Sequence, residues 1–97
     1  MIMISEFKRE VMEWAEEIGV KPKEIQVRPM RKKWASCSTK GRLSFSYELL
    51  NQPKEFRAYV IVHELLHLRY KTHSKRFNTL IKAYLSKKGI KVPFPYE

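Results

Sequence analysis

The residues of this chain best suited to chemistry are three histidines and one glutamate within eleven positions: His63, Glu64, His67 and His73. On a helix, residues four apart lie on one face, so His63 and His67 would point at one metal ion. Glu64 would lie about 100° around the helix from His63, beside the ion, where a general base belongs. Two imidazoles and a neighbouring carboxylate at this spacing indicate zinc-dependent hydrolysis by a metal-activated water.

An HExxH motif can occur by chance, and the apolar residues that flank this one favour a functional motif. Residues 59–62 and 65–66 are apolar, which predicts a buried helix. A single histidine in such a helix is often only packed there. An unpaired carboxylate is costly to bury, however, so Glu64 favours a functional role for the motif.

His73 is the predicted third ligand, leaving one zinc position open for water. On an unbroken helix His73 would lie about 240° around from His67 and roughly 9 Å along the axis. The chain must therefore turn between residues 69 and 72. Ser74 is a good N-cap for a helix over residues 75–88. The alternative is that His73 is a polar loop residue.

The metal segment also resembles a known family. Residues 63–77, HELLHLRYKTHSKRF, resemble the HELxH…HSxxF signature of YgjP-like metallopeptidases. Residues 34–38, WASCS, resemble the W-G-S-C-S element of that group, with Ala35 in place of the usual glycine. The size and three-histidine ligation are also similar to the minigluzincins, which are related to thermolysin-type and SprT-like enzymes. The resemblance covers about residues 28–85 and implies a small peptidase with one Zn²⁺ per chain and a peptide or protein substrate.

The metzincin pattern has the same histidine spacing, but two features argue against it. Tyr70 occupies the position where metzincins use the conformational freedom of glycine. No methionine follows His73, so no Met-turn can lie beneath the metal.

Length and composition predict one domain, residues 1–97, with 43% hydrophobic residues. No apolar run approaches the roughly 20 residues needed to cross a bilayer, so no membrane partner is expected. A single cysteine and no predicted export signal favour a cytoplasmic location. Oligomeric state is left open.

The net charge is +10, and every acidic residue is a glutamate. Seven of the ten glutamates precede Asn51, so the half of the chain with the metal motif is strongly basic. Such a charge attracts nucleic acid or acidic protein segments, although no nucleic-acid recognition motif is present. The alternative is a basic surface that only maintains solubility.

The order of elements predicts a small α+β fold with a short three-stranded sheet. An N-terminal amphipathic helix would be capped by Ser5 and stopped by Gly19. Pro53 would open the HExxH helix, and Gly89 would stop the last helix before an extended tail. The predicted bounds are residues 5–18, 53–70 and 74–88 for the helices and 24–30, 34–37 and 42–47 for the strands.

Candidate substrate-binding residues lie in the last strand: Ser44, Phe45, Ser46 and Tyr47. At the edge of the sheet, this strand would pair with an extended peptide through main-chain hydrogen bonds. The alternative is an interior strand.

Cys37 has two interpretations. As a fourth zinc ligand it would close the site, and as a small buried hydrophobe it would only pack, which is favoured. Candidate oxyanion donors are Tyr47, Tyr59 and Tyr70. Because the chain has no aspartate, the group that orients a metal-binding histidine must be a backbone carbonyl or a glutamate such as Glu48 or Glu55. Phe77 is expected to pack under the metal helix.

The tail, residues 91–97, contains two prolines that forbid a helix and favour an extended conformation. Its aromatic rings and terminal carboxylates would fill a cleft, which predicts a latent enzyme with Glu97 near the zinc. Minigluzincins, which the chain resembles, are held latent by C-terminal segments. The alternative is a tail packed on the surface.

These residues together predict a zinc-dependent endopeptidase with Glu64 as general base. Two alternatives remain open. One is a zinc-dependent hydrolase of a phosphoanhydride such as a nucleotide, which would explain the positive charge. The other is a non-enzymatic basic module whose structural zinc is closed by Cys37.

Overall fold

The computed structural model describes residues 1–91 of the chain. Within them lie three α-helices, a three-stranded sheet and a short 3₁₀ helix, which confirms the predicted α+β class. The predicted inhibitory tail, including Glu97, lies outside the described residues except for Lys91. In chain order the elements are α1 (Ile4–Ile18), β1 (Glu24–Arg28), β2 (Ala35–Cys37), β3 (Arg42–Ser46), the 3₁₀ helix (Tyr47–Asn51), α2 (Lys54–Leu66) and α3 (Lys75–Lys87).

The sheet has the strand order β1-β3-β2, with β3 parallel to β1 and antiparallel to β2. Both rows of main-chain groups on β3 are therefore occupied by neighbouring strands. The edge-strand alternative for residues 43–47 is wrong, and the interior-strand alternative is confirmed. Ser44, Phe45 and Ser46 cannot receive a peptide by strand addition, and Tyr47 already belongs to the 3₁₀ helix. A five-residue alternating pattern is the same at the centre and at the edge of a sheet, so sequence could not decide.

The amphipathic helix α1 buries five residues that recur at intervals of three and four: Phe7, Val11, Trp14, Ala15 and Ile18. It begins one residue earlier than predicted, and its N-cap is Met3 without a side-chain hydrogen bond, so Ser5 is not the cap. Gly19 ends it at a φ of 83°, the left-handed conformation that glycine adopts without strain.

The HExxH helix α2 is the centre of the molecule. Every residue from 56 to 66 is buried, and the helix packs against α1, α3 and β2. Arg57 binds it to α1 through two parallel bonds to Glu10, Nε to Oε1 at 3.1 Å and Nη2 to Oε2 at 2.9 Å. The remaining Arg57 nitrogen, Nη1, donates to the carbonyl of Gln52 at 2.8 Å. Such a bidentate pair fixes the two helices geometrically as well as electrostatically.

The helix α2 ends at Leu66, four residues before the predicted end. The amides of His67, Leu68 and Arg69 donate to carbonyls three residues back, at 3.0–3.1 Å, which tightens the last turn. His67 keeps helical angles, φ −65° and ψ −15°, so its spacing to His63 is preserved. No helix in the described part of the chain is long and apolar enough to span a membrane.

Candidate metal centre

The three histidines meet at one point between α2 and the loop that follows it. Nε2 of His73 lies 3.0 Å from Nε2 of His63 and 2.8 Å from Nε2 of His67. The chain leaves the helical turn after Arg69, as the histidine spacing predicted, and returns His73 just before α3. Ser74 caps α3 as predicted, accepting a hydrogen bond from the amide of Phe77 at 3.2 Å.

The geometry of these nitrogens fits a tetrahedral ion. Zinc–nitrogen bonds of about 2.0–2.1 Å separate tetrahedral ligands by about 3.3 Å, slightly more than the 3.0 and 2.8 Å between Nε2 of His73 and those of His63 and His67. His67 has the required tautomer, because its Nδ1 lies 3.0 Å from the carbonyl oxygen of Tyr70. A carbonyl only accepts, so Nδ1 carries the hydrogen and the Nε2 lone pair faces the cluster. Three imidazoles leave a fourth position for water or substrate.

Phe77 forms the floor of this cluster. Its ring centroid lies 5.3, 4.8 and 5.0 Å from those of His63, His67 and His73. The side chain is 1% exposed. Phe77 therefore packs under the end of α2, as expected, and one aromatic ring supports all three imidazoles.

Burial sets the protonation of the histidines on α2. His63 is 4% exposed, and burial, followed by the positive charges of His67 and His73, lowers the pKa of His63 to about 3. Burial is also the largest cause of a lowered pKa at His67. At neutral pH both rings are neutral, which is the form that binds a metal.

Glu64 lies beside the cluster and is also 4% exposed. Burial raises the pKa of Glu64 to about 7, and the positive charge of Lys33 opposes part of that rise. Its Oε2 lies 3.6 Å from Nδ1 of His63. A carboxyl group that titrates near neutral pH can both accept and return a proton.

Cys37 is not part of the cluster. Among residues 1–91, the metal-capable group consists of the three histidines. The Cys37 thiol is half-buried and lies 3.5 Å from the carbonyl of Ser38, and burial, followed by the charge of Glu64, raises its pKa. A thiol with a raised pKa is a poor metal ligand, since binding requires the thiolate. The packing interpretation of Cys37 is therefore favoured.

The remaining candidates have different positions. Tyr59 stacks parallel to His63 at 6.4 Å between ring centroids, whereas Tyr47 is 41% exposed. Of the options for orienting a histidine, the backbone carbonyl is the one found for His67, and it belongs to Tyr70. Glu55 lines a groove with glutamates of α1, and Glu48 is exposed in the 3₁₀ helix.

Sequence reasoning missed Arg69, which anchors the metal loop. Its Nη2 donates to the carbonyl of Gly19 at 2.8 Å, at the C-terminus of α1. A cation is favourable there because of the helix dipole, and the last turn of α1 has no basic residue of its own. The absence of a basic residue in the last turn of α1 indicates that a cation from elsewhere could bind there, but the sequence does not show which one.

Comparison with known proteins gives the class. Residues 2–89 match the family described as the YgjP-like metallopeptidase domain, and the chain belongs to this family. An uncharacterized protein of Methanocaldococcus jannaschii, MJ0123, is 36% identical over 67 residues. That match covers 65% of this chain and 61% of the relative, so the chain spans less than two thirds of the relative's length.

Two solved structures are similar over most of the chain. The metallopeptidase zymogen abylysin of Pyrococcus abyssi has a TM-score of 0.69 and 25% identity, covering 78% of this chain and 76% of that one. The metallopeptidase zymogen jannalysin of Methanocaldococcus jannaschii has a TM-score of 0.63 and 25% identity, covering 87% of this chain and 97% of that one. These matches confirm the resemblance to YgjP-like metallopeptidases and to the minigluzincins.

Proposed function

We propose that this protein is a zinc-dependent endopeptidase in which His63, His67 and His73 hold the ion and Glu64 is the general base. The convergence of three Nε2 atoms beside a buried carboxylate carries the proposal. Membership in a metallopeptidase family supports it. When bound, the ion supplies Lewis acidity that polarises the scissile carbonyl and activates a water.

Glu64 handles the proton in this proposal. Its carboxylate takes a proton from the attacking water and delivers it to the leaving amine. The burial that raises its pKa to about 7 supports both halves of this transfer near neutral pH. Neutral His63 and His67 would offer their lone pairs to the ion over the same pH range.

An extended substrate would lie along β2 and not along β3. Within residues 1–91, β2 pairs with β3 on one side, and its outer row of main-chain groups faces no other strand. β2 packs against α2, the helix that carries the HExxH motif. A peptide added to this edge would gain main-chain hydrogen bonds while passing beside the histidines.

Latency through the tail is part of the proposal. Both similar solved structures are zymogens, which supports it. Residues 92–97 lie outside the described part of the chain, so the support comes from these relatives and from the tail's composition. Faster cleavage by a chain ending at Lys91 than by the full chain would establish latency, and equal rates would refute it.

The test of the activity is a digest of a mixed peptide library, read by mass spectrometry, with zinc-loaded full-length and tail-shortened chains. The blank is the same protein carrying Glu64→Gln. We expect cleavage products that the blank lacks, while the blank retains one zinc. His67→Ala should lose both zinc and cleavage. Products that persist in the Glu64→Gln protein would refute the role of Glu64.

A second candidate function is hydrolysis of a phosphoanhydride. The observation that favours it is a groove next to His67 that is lined by four lysines. Release of pyrophosphate or inorganic phosphate from nucleoside triphosphates, absent in Glu64→Gln, would establish this activity. Silence with nucleotides and cleavage of peptides would exclude it.

A further inference from the structure

Two open grooves of opposite charge cross the surface of this molecule. The first, here called the basic groove, has a volume of about 560 Å³ and contains Lys21, Lys23, Lys40 and Lys71. Among residues 1–91, no carboxylate lines it. The second, here called the acidic groove, has a volume of about 700 Å³ and is lined by five glutamates and two lysines: Glu10, Glu13, Glu16, Glu17, Glu55, Lys54 and Lys88.

The net charge of the chain does not by itself imply that acidic and basic side chains lie in separate grooves. Half of the ten glutamates of the chain lie in the acidic groove. The lysines of the basic groove come from three separate segments: the α1–β1 connection, the β2–β3 turn and the metal loop. Because the fold brings them together, the positive potential here is a property of the tertiary structure and not of one basic run in the sequence.

The basic groove adjoins one histidine of the candidate metal centre. His67, a member of the histidine cluster, lines its wall, and so does Cys37, the last residue of β2. A groove of this volume is roughly 10 Å across, about one Debye length at moderate salt, so a charge within it interacts with all four lysines. A peptide lying along β2 would enter the basic groove where that strand ends.

We propose that the basic groove is a substrate-specificity site that binds acidic side chains of the peptide close to the scissile bond. The inference rests on the proposed peptidase function and names its substrate class. In antiparallel pairing, the more stable arrangement, the N-terminal residues of the peptide lie opposite the C-terminal end of β2. The preferred acids are therefore aspartate or glutamate on the N-terminal side of the cleaved bond.

A nucleic acid fits this groove less well. Single strands are held by aromatic rings on which bases stack, and among residues 1–91 no phenylalanine, tyrosine or tryptophan lines the groove. The cations are all lysines, whose ammonium groups act as point charges, without the planar fork of arginine that grips phosphate in two bonds. The apolar lining residues, Val20 and Leu68, suit the methylene groups of a glutamate side chain.

The experiment measures binding separately from cleavage. Zinc-loaded full-length protein carrying Glu64→Gln is titrated with three capped heptapeptides whose two positions before a central Phe are both Glu, both Gln or both Lys. Backbone amide shifts in NMR spectra locate the bound peptide. We expect the Glu peptide to bind about tenfold more tightly than the Gln peptide, as two or three exposed ion pairs would provide. Shifts should centre on the basic groove.

The matched variants reverse two charges at different places. Lys21→Glu with Lys40→Glu changes the basic groove without touching a histidine, whereas Lys8→Glu with Lys82→Glu changes exposed residues of α1 and α3 by the same net charge. The groove variant keeps two lysines against two new glutamates, so it should lose the preference for the Glu peptide and bind the three peptides about equally. The control should keep the preference for Glu. Both should retain one zinc per chain.

Several outcomes overturn the proposal. Equal binding of the three peptides does so, and so does an equal loss of preference in both double variants. Tighter binding of pyrophosphate or of a single-stranded DNA that displaces the Glu peptide would assign the groove to phosphate ligands. Charge-selective binding in the groove, without cleavage by either the full-length wild-type protein or the chain ending at Lys91, would keep the specificity site and count against the peptidase function.

Discussion

The candidate metal centre draws its side chains from two regions that differ in solvent exposure. The region on α2 supplies His63 and Glu64, both 4% exposed, from a helix that is buried along most of its length. The loop after α2 supplies His73, which is exposed, and is anchored by the Arg69 bond to the end of α1. The buried region sets protonation states, and the exposed loop provides access. Substitutions of the buried residues on α2 should alter the free energy of unfolding and its pH dependence. Substitution of His73 in the exposed loop should mainly alter metal binding.

Removing one histidine from each region gives the sharpest contrast. His63→Ala and His73→Ala should each weaken zinc binding by more than about 100-fold, beyond what a lost orienting group costs. In the metal-free protein, His63→Ala should also lower the free energy of unfolding by about 2 kcal/mol or more, because it empties a buried site. His73→Ala should change it by less than about 0.5 kcal/mol. Isothermal titration measures zinc affinity, and urea unfolding in EDTA measures the free energy of unfolding. Equal losses of stability in the two variants would contradict the distinction between a buried and an exposed region.

Phe77 joins the two regions, so its loss should affect both. Phe77→Ala should lower the free energy of unfolding by about 3–5 kcal/mol and weaken zinc binding, because the ring under all three imidazoles is gone. Phe77→Leu keeps most of the volume and should cost about 1 kcal/mol. Denaturant unfolding and zinc titration test this. Full zinc affinity in a folded Phe77→Ala protein would show that the ring does not position the ligands.

The pH dependence of the metal-free protein should report the buried region. The folded-state pKa of Glu64, about 7, lies above its ordinary value of 4.5, so stability is fully present below pH 4.5 and is lost as pH rises through 7. Glu64→Gln should therefore be about 3 kcal/mol more stable than wild type at pH 8. The difference should vanish below pH 4.5. Urea unfolding in EDTA across this range measures it, and a constant difference would contradict the buried-carboxyl assignment.

The contribution of His63 to stability changes with pH in the opposite direction to that of Glu64. Burial lowers its pKa from 6.5 to about 3, so the stability that its neutral ring contributes is present above pH 6.5 and is lost as pH falls toward 3. Glu64→Gln should therefore still lose stability in acid. His63→Gln should lose less between pH 6.5 and 4 than the wild-type protein does.

Arg69 should give the smallest effect and one confined to the loop. Arg69→Met removes an exposed bond to Gly19 and should cost less than about 1 kcal/mol of stability. Zinc should dissociate a few-fold faster because the loop that holds His73 is less anchored. A chelator competition assay measures that rate, with Arg76→Met, an exposed arginine of α3, as the control. Identical zinc dissociation rates in the two variants would show that Arg69 does not anchor the loop that carries His73.

The same two regions differ in how much their sequence predicts. Helical periodicity places His63, Glu64 and His67 because a regular helix relates spacing to direction. The need for a turn before His73 follows from the same geometry, and Ser74 caps α3 as its side chain predicts. The anchor of Arg69 at Gly19 joins segments 50 residues apart, and no local pattern encodes such a contact.

The sheet shows a second limit of local patterns. Alternation along residues 42–46 predicts a strand, and the structure contains one. Its place between β1 and β2 depends on which strands pair, and pairing is decided by tertiary packing. The sequence left open whether β3 lies at the edge or in the interior of the sheet, and its interior position is why we propose β2 as the strand that pairs with substrate. The basic groove also could not be foreseen, because its lysines are far apart in sequence.

The most direct test of the account is X-ray absorption at the zinc edge of the full-length protein loaded with one zinc. We expect the zinc to be surrounded by three imidazole nitrogens at about 2.0–2.1 Å and one oxygen, with no sulfur near 2.3 Å. The same shell should persist in Cys37→Ser and lose an imidazole in His73→Ala. A sulfur scatterer that disappears in Cys37→Ser would contradict the account, because it would show a closed, structural zinc.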